Sequence, residues 1–425
     1  MRPVERVDCV VVGAGHAGLA VSRLLTEARH DHVVLDRGRI GERWRTERWD
    51  SLHLLTPNWM TRLPRWEYAG PAPDGYLSAS AFVHHLEHYA ASFAAPVIGG
   101  TTVVSVREHR FGGYVVVTDR GTWQARRVVV ATGPHGAPVV PGKLAGGADV
   151  EVLHSSRYRN PRQLAPGGVL VVGASASGVQ IADELARAGR QVVVAVGRHT
   201  RMPRRYRGRD IFGWLEGTGR LARTIDEVSD PVAARAEPSL QLVGRSGHHD
   251  MIADLDLPAL HAGGVRLTGR LASIVGGVAI FVDDLDRTVS ASEGRMHRFL
   301  DRVDRYVEQC GLAARAGHPL RPEPFTAPAH ERRLHLGVEG IRTILLATGY
   351  RPDHSWLQVP LTRQRGVIRQ YRGTTQAPGL YVVGQRFQHR RDSGFVDGAR
   401  HDARAVVTHL LTGVLPADAD AGRVA

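Results

Sequence analysis

The sequence predicts an α/β fold with two parallel-sheet modules, and three observations predict it. Val10-Val11-Val12 runs straight into Gly13-Ala14-Gly15-His16-Ala17-Gly18, and Val169 to Val172 runs into Gly173-Ala174-Ser175-Ala176-Ser177-Gly178. Each turn leads into a helix-like stretch, Leu19 to Ala28 in the first case and Val179 to Ala188 in the second. A strand ending in Ala-Thr-Gly also occurs twice, at Ala131-Thr132-Gly133 and at Ala347-Thr348-Gly349. Strand, glycine-rich turn and helix in that order form a dinucleotide-binding unit. The first glycine permits the tight turn and the second admits a pyrophosphate. The third lets the helix pack close to the strand. The chain therefore reads as two Rossmann-like dinucleotide-binding domains.

In chain order, the second strand, His32 to Leu35, ends at Asp36, eighteen residues after Gly18, where a carboxylate accepts hydrogen bonds from a ribose diol. Ser78 is placed to cap a helix over 78–95, on which Phe82, Leu86, Tyr89 and Phe93 recur at helical spacing. His84, His85 and His88 lie on that helix without a carboxylate or cysteine at ligand spacing, so they read as a solvated face and no metal is expected. Strands follow at Thr101 to Val106, Tyr114 to Thr118 and Arg127 to Val130. Beyond the second glycine turn, Gln191 to Val196 ends in Gly197-Arg198-His199 with no acid for a ribose. An arginine there accommodates a 2′-phosphate, which favours NADPH over NADH, with Arg198 and Arg204 as its ligands. Ser175 and Ser177 add hydroxyl donors for phosphate. A helix over 292–310 carries the stripe Met296, Phe299, Leu300, Val303, Tyr306 and Val307. The stretches around 200–260 and 285–335 exceed what a nucleotide module needs. They cap a substrate pocket or make a homodimer contact, and the sequence leaves both open. A last helix is expected from Val396 to Leu411, and the tail at 416–425 reads as disordered.

Composition narrows the class. The chain has 425 residues, 43% hydrophobic and 23% charged, and no apolar run long enough to span a membrane. No signal-peptide pattern opens it, so a cytoplasmic protein is expected. Its two cysteines, Cys9 and Cys310, form no CxxC, which excludes a disulfide framework and a dithiol redox centre. The net charge of +13 is almost entirely arginine, Lys143 being the sole lysine. The arginines are scattered among Ala, Gly and Val rather than interleaved with aromatics, so nucleic acid is not expected as a partner.

After Asp36 come Arg37, then Gly41-Glu42-Arg43-Trp44, then Ser51-Leu52-His53 through Pro57-Asn58. With these segments the sequence resembles the flavin-containing monooxygenases, class B flavoproteins with two dinucleotide domains, including bacterial and YUCCA-type members. In that family a Gly-x-x-Trp segment wraps FAD, which Gly41 to Trp44 match, and the next stretch lines the flavin ring. The resemblance assigns Asn58 to the active site. It also matches His154 and Tyr158, after Leu144 and Gly146, to the family's identifying motif, as coupling or catalytic residues. Val103 corresponds to the strand that holds the adenine. Tyr350 belongs to the second Ala-Thr-Gly turn, and Gly384, Gln385 and Phe395 to the segment beside the flavin.

The architecture implied is that of glutathione and thioredoxin reductases. The FAD-binding domain is expected at 1–160 and 341–415, with the NAD(P)-binding domain, 161–340, inserted. The activity implied is an NADPH-consuming monooxygenase. It would insert one oxygen atom of O2 into a small organic substrate through a C4a-(hydro)peroxyflavin, N- or S-oxygenation first. Baeyer–Villiger oxidation, a reductase passing electrons to a partner, and a non-catalytic redox sensor are the alternatives.

Overall fold

The computed structural model describes residues 4–142, 150–242, 254–361, 363–364 and 366–416. Leu144, Gly146 and the tail beyond Pro416 lie outside the described residues.

The first sheet runs in the order Val97–Ile98, His32–Leu35, Val4–Val12, Thr122–Val130, Tyr114–Thr118, Val103–Glu108. Leu380–Val382 joins it alongside Val128–Val130. The strands around Val4–Val12 pair in parallel and the outer two turn back as antiparallel neighbours. Cys9 to Val12 form a continuous apolar run because both faces of the strand are covered. The helices His16–Glu27 and Val396–Thr412 share one core cluster with this strand on one face, through Leu19, Leu25, Ala403 and Val406 among others. Val116, Leu357 and Ile368 fill the cluster on the other face.

The helix Ala79–Ala91 starts where Ser78 was expected to cap it, the hydroxyl accepting from Ala81 N. Phe82, Leu86 and Tyr89 are buried under it, each contributing about 1.5–3 kcal/mol. Of its histidines only His84 and His88 are exposed. His85 departs from the solvated reading: its ring stacks on Phe82 and leans on Trp66, centroids 6.3 and 6.0 Å apart.

The second sheet is all parallel, in the order Arg266–Thr268, Val192–Ala195, Gly168–Val172, Ile341–Leu346, Glu151–His154. Here the structure corrects the expected boundaries. The strands Glu151–His154 and Ile341–Leu346 were assigned to the first module, yet both pair in the second sheet. The chain leaves the first module after Val130 and crosses back after Leu346. The two crossings touch, with Ala137–Pro138 pairing antiparallel to Tyr350–Arg351.

The helix expected at 292–310 runs from Leu285 to Gln309. Met296, Phe299, Leu300, Val303 and Val307 are buried against Tyr206, Phe212, Trp214 and Leu221 from the 200–260 stretch, and against Met60 of the first module. The two extra segments thus bury each other's apolar faces within one chain. No helix among the described residues is long and apolar enough to cross a membrane.

Candidate cofactor cavity and active site

The two glycine turns are built alike. Gly13 and Gly173 take φ of +112° and +111°, a region where a side chain is strained, and a Cβ on either would strike an Ala-Thr-Gly backbone oxygen at 2.7 or 2.5 Å. A Cβ on Gly18 would lie 1.9 Å from Gly13 O, and one on Gly178 1.8 Å from Gly173 O. Those glycines bring helix and strand together. Gly15 is different: a Cβ there meets nothing within 4 Å, and its backbone is extended, φ −81°. Gly133 likewise faces open space.

What Gly15 and Gly133 face is a cavity of about 530 Å³. Its lining includes Asp36, Arg37 and Val103, then Gly13, Gly15, His16, Gly41, Arg43 and Trp44, and also Ala131, Thr132, Gly133 and Gly384. The Asp36 carboxylate accepts from Ala14 N at 2.7 Å and from Gly38 N at 2.8 Å, fixing it at the rim. Two buried donor-capable atoms in the lining lack a hydrogen-bond partner, His16 Nε2 and Arg43 Nη1. Burial pushes the His16 pKa down to about 4 and lowers that of Arg43.

Sequence reasoning missed several walls. Arg48, His135, Trp356 and Asp353 also line the cavity. Arg48 lies 5.2 Å over the Trp44 ring and 5.9 Å from the Tyr350 ring. Tyr350 in turn meets His135 and His154 edge-on, both at 5.0 Å. The positive field of Arg48, Arg386 and Arg43 lowers the His135 pKa. The second Ala-Thr-Gly copy was the available signal for this cluster, since it delivers Tyr350 and the strand's return past Asp353.

Other expected residues lie elsewhere. Leu52 is buried in the second module's core beside Tyr158 and Val169. His53 bonds Ser51 O, and neither residue lines the cavity. Asn58 is buried, donates to Ala72 O at 2.9 Å, keeps Oδ1 unpartnered, and also stands outside the lining. Tyr158 is fully buried, and its hydroxyl donates to Glu184 Oε2 at 2.8 Å. Glu184 also accepts from Ser51 Oγ at 2.8 Å, so the three residues join the modules. Tyr158 is thereby corrected from a catalytic to a bridging position. His154 presents Nε2 to Gly349 O at 3.1 Å and Nδ1 to Ser156, holding one Ala-Thr-Gly turn against its neighbouring strand. Thr348 donates to Val139 O across the two crossings.

Arg204 is the clearest correction. It is 1% exposed, its guanidinium pairs with Asp210 and donates to Leu55 O at 2.7 Å, and it lies 4.1 Å over the Tyr76 ring. An arginine so enclosed has no face left for a 2′-phosphate. Arg198 is exposed, and its guanidinium donates to Ala236 O. Ser175 precedes the helix Ala176–Arg187, and Ser177 is half-buried in its first turn. Gln385 is buried with Nε2 unpartnered, and Phe395, at the head of the last helix, packs 6.0 Å from Phe212. Among the described residues no cluster of three His, Cys, Asp or Glu side chains is arranged to hold a metal ion.

A glycine-turn cavity in one parallel-sheet module, joined through paired crossings to a second module with the same turn, defines an oxidoreductase architecture with two dinucleotide folds. Comparison with known proteins agrees. Residues 10–215 match the pyridine nucleotide-disulphide oxidoreductase family model. A CzcO-like oxidoreductase of Geobacillus kaustophilus is 30% identical over 410 residues, 95% of this chain and 98% of that one. The indole-3-pyruvate monooxygenase YUCCA1 of Oryza sativa is 34% identical over 213 residues, 48% of this chain and 51% of that one. In fold, the chain is similar to the flavin-containing monooxygenase of Stenotrophomonas maltophilia, with TM-score 0.64 and 19% identity over 96% of this chain and 98% of that one. The chain belongs to the CzcO-like oxidoreductases.

Proposed function

We propose that the protein is an FAD-dependent monooxygenase that consumes NADPH and transfers one oxygen atom of O2 to a small organic substrate, with N- or S-oxygenation its first activity. The observation that carries this reading is the cavity at Gly15. The residues there fit FAD: open space at Gly15 and Gly133 leaves room for a pyrophosphate, and the buried His16 Nε2 has no hydrogen-bond partner among the described residues. Asp36 and Val103 suit the adenosine end, and Trp44, Gly384 and Gly394 the ring end. When bound, FAD supplies the acceptor for hydride and the site of oxygen activation.

The chain's own residues then bind, orient and exclude water. Arg48, wedged between Trp44 and Tyr350, and His135 close the ring end of the cavity towards the second module. The second glycine turn, with Ser175, Ser177 and Arg198, receives NADPH. Tyr158, Ser51 and Glu184 fix how that module faces the first. A mechanism dominated by its cofactor needs geometry and dryness more than acid–base groups, which suits a site without paired carboxylates.

The test is turnover of a panel of amines and sulfides under 18O2 with the flavin-loaded protein. NADPH oxidation with one labelled oxygen in product supports the reading. NADPH oxidation that returns all oxygen as hydrogen peroxide across the panel, or no flavin reduction by NADPH, overturns it.

A further inference from the structure

An arginine cluster stands beside the second glycine turn, contributed by separate elements. Arg198 follows the strand Val192–Ala195, Arg220 lies in the 200–260 stretch, Arg295 sits on the helix Leu285–Gln309, and Arg386 and Arg391 come from the segment after Gly384. Three of them converge on two consecutive residues. Arg198 donates to Ala236 O, Arg386 to Glu237 O, and Arg391 pairs with the Glu237 carboxylate. Glu237 is also the acid whose field reaches Arg220, Arg295 and Arg386, while each of these feels other arginines. Burial first, and those like charges after it, lower the pKa of all three, Arg220 to about 10. So many guanidinium groups around one carboxylate form a site for an anion of higher charge.

The chain carrying Glu237 continues over the glycine turn itself. Leu240–Gln241 pairs with Thr200–Arg201 in a short parallel ladder. Gln241 Nε2 donates to Ala174 O at 2.6 Å, and Gln180 Nε2, from the helix behind the turn, donates to Leu242 O at 2.8 Å. Residues 236–242 thus run from the arginine cluster to Gly173-Ala174-Ser175, along the path from a 2′-phosphate to a pyrophosphate on such a module.

We propose that Glu237 is a built-in stand-in for the 2′-phosphate of NADPH, its carboxylate pairing Arg391 while the carbonyls of Ala236 and Glu237 engage Arg198 and Arg386, until the dinucleotide displaces it. This rests on the reading that the second module takes NADPH. The strap 236–242 then opens on binding, and the phosphate competes with the Glu237 carboxylate for Arg391 and with the two carbonyls for Arg198 and Arg386. A competitor that occupies the site lowers the apparent affinity by the fraction of molecules in which it is seated. Glu237 is 40% exposed, so solvent screens its ion pair and keeps that penalty modest.

The experiment is titration of flavin-loaded wild type and Glu237→Gln with 2′,5′-ADP, NADPH and NADH, with Glu237→Asp as the conservative control. Removing the charge is expected to tighten 2′,5′-ADP and NADPH about fivefold, the order of one screened ion pair, and to leave NADH unchanged. Glu237→Asp should fall back towards wild type. Equal or weaker NADPH binding by Glu237→Gln, in a variant whose melting curve matches wild type, overturns the stand-in and leaves the NADPH reading intact. Wild type that binds neither 2′,5′-ADP nor NADPH overturns both.

Discussion

Replacing Gly15 with valine separates the cavity from the fold more cleanly than any other single change. Its backbone, φ −81° and ψ 179°, lies where valine is comfortable, and a Cβ meets no atom within 4 Å. The protein itself therefore has little to lose. Glycine and valine differ at a helix N-cap by about 1 kcal/mol or less, and that is the whole expected cost to the apoprotein. The cost to the ligand is larger. Two branched methyls would fill the space through which a pyrophosphate must pass to reach the backbone N–H groups heading the helix His16–Glu27. Losing two charge-assisted hydrogen bonds, at about 1.5–3 kcal/mol each, corresponds to a weakening of roughly 10²- to 10⁴-fold. The assay is the ratio of flavin absorbance to protein absorbance after purification and after added FAD, alongside a thermal melt of the apoprotein. The expected result is a colourless protein with an almost unchanged apoprotein melt. A Gly15→Val protein carrying a full complement of flavin would refute the assignment of this cavity.

Gly18→Ala should fail differently, since its Cβ would lie 1.9 Å from Gly13 O, and soluble yield and melting temperature should drop before any ligand is added. Arg198→Ala should raise the KM for NADPH more than that for NADH, and equal increases in steady-state assays would remove it as the 2′-phosphate ligand. Tyr158→Phe deletes one buried hydrogen bond to Glu184, so urea unfolding should show a loss of about 1–3 kcal/mol, with the pH profile of turnover unmoved. Asp402 is buried beside Ser393 and Asp392, and burial raises its carboxyl pKa to about 7. The folded protein then holds a proton that the unfolded chain releases near pH 4. Asp402 therefore stabilises fully below pH 4, and the contribution is lost as pH rises towards 7. Wild-type stability measured relative to Asp402→Asn should fall across that window and level off above it. A difference that does not change with pH would show an ordinary carboxyl at this position.

The parts of the fold legible in the sequence are those specified by local chemistry. Gly13, Gly18, Gly173 and Gly178 announced two strand–turn–helix units because each position tolerates no side chain, a constraint written in single residues. Ser78 announced its helix by its hydroxyl. Sheet membership was not legible in the same way. Ile344 to Leu346 is a buried apolar run followed by Ala-Thr-Gly, as Val128–Val130 is, and nothing in such a run records which sheet it enters. The same limit governs Tyr158 and Arg204. Their chemistry suited a site, but the folding back of the chain gives Tyr158 its partner Glu184 and Arg204 its partner Asp210, and Leu55 arrives from the other module. His135 and Arg48 were missed for the converse reason, since their meeting with Tyr350 is a contact between chain segments some two hundred and more residues apart.

The two crossings, with Ala137–Pro138 laid against Tyr350–Arg351, have a mechanical consequence. Two modules joined by a single strand can swing, twist and drift apart. Two tethers bonded side by side remove most of those freedoms and leave rotation about the line on which they lie, as with paired leaves on one pin. Tyr350 stands on that line, with His135 and His154 against its ring and Arg48 above it. Points on an axis of rotation barely move, whereas points far from it sweep widely. The Ser51–Glu184–Tyr158 bonds add a polar catch to that joint. Leu52 and Met60, seated in apolar clusters of the other module, press that joint shut, so the aromatic group around Tyr350 lies where relative motion is smallest.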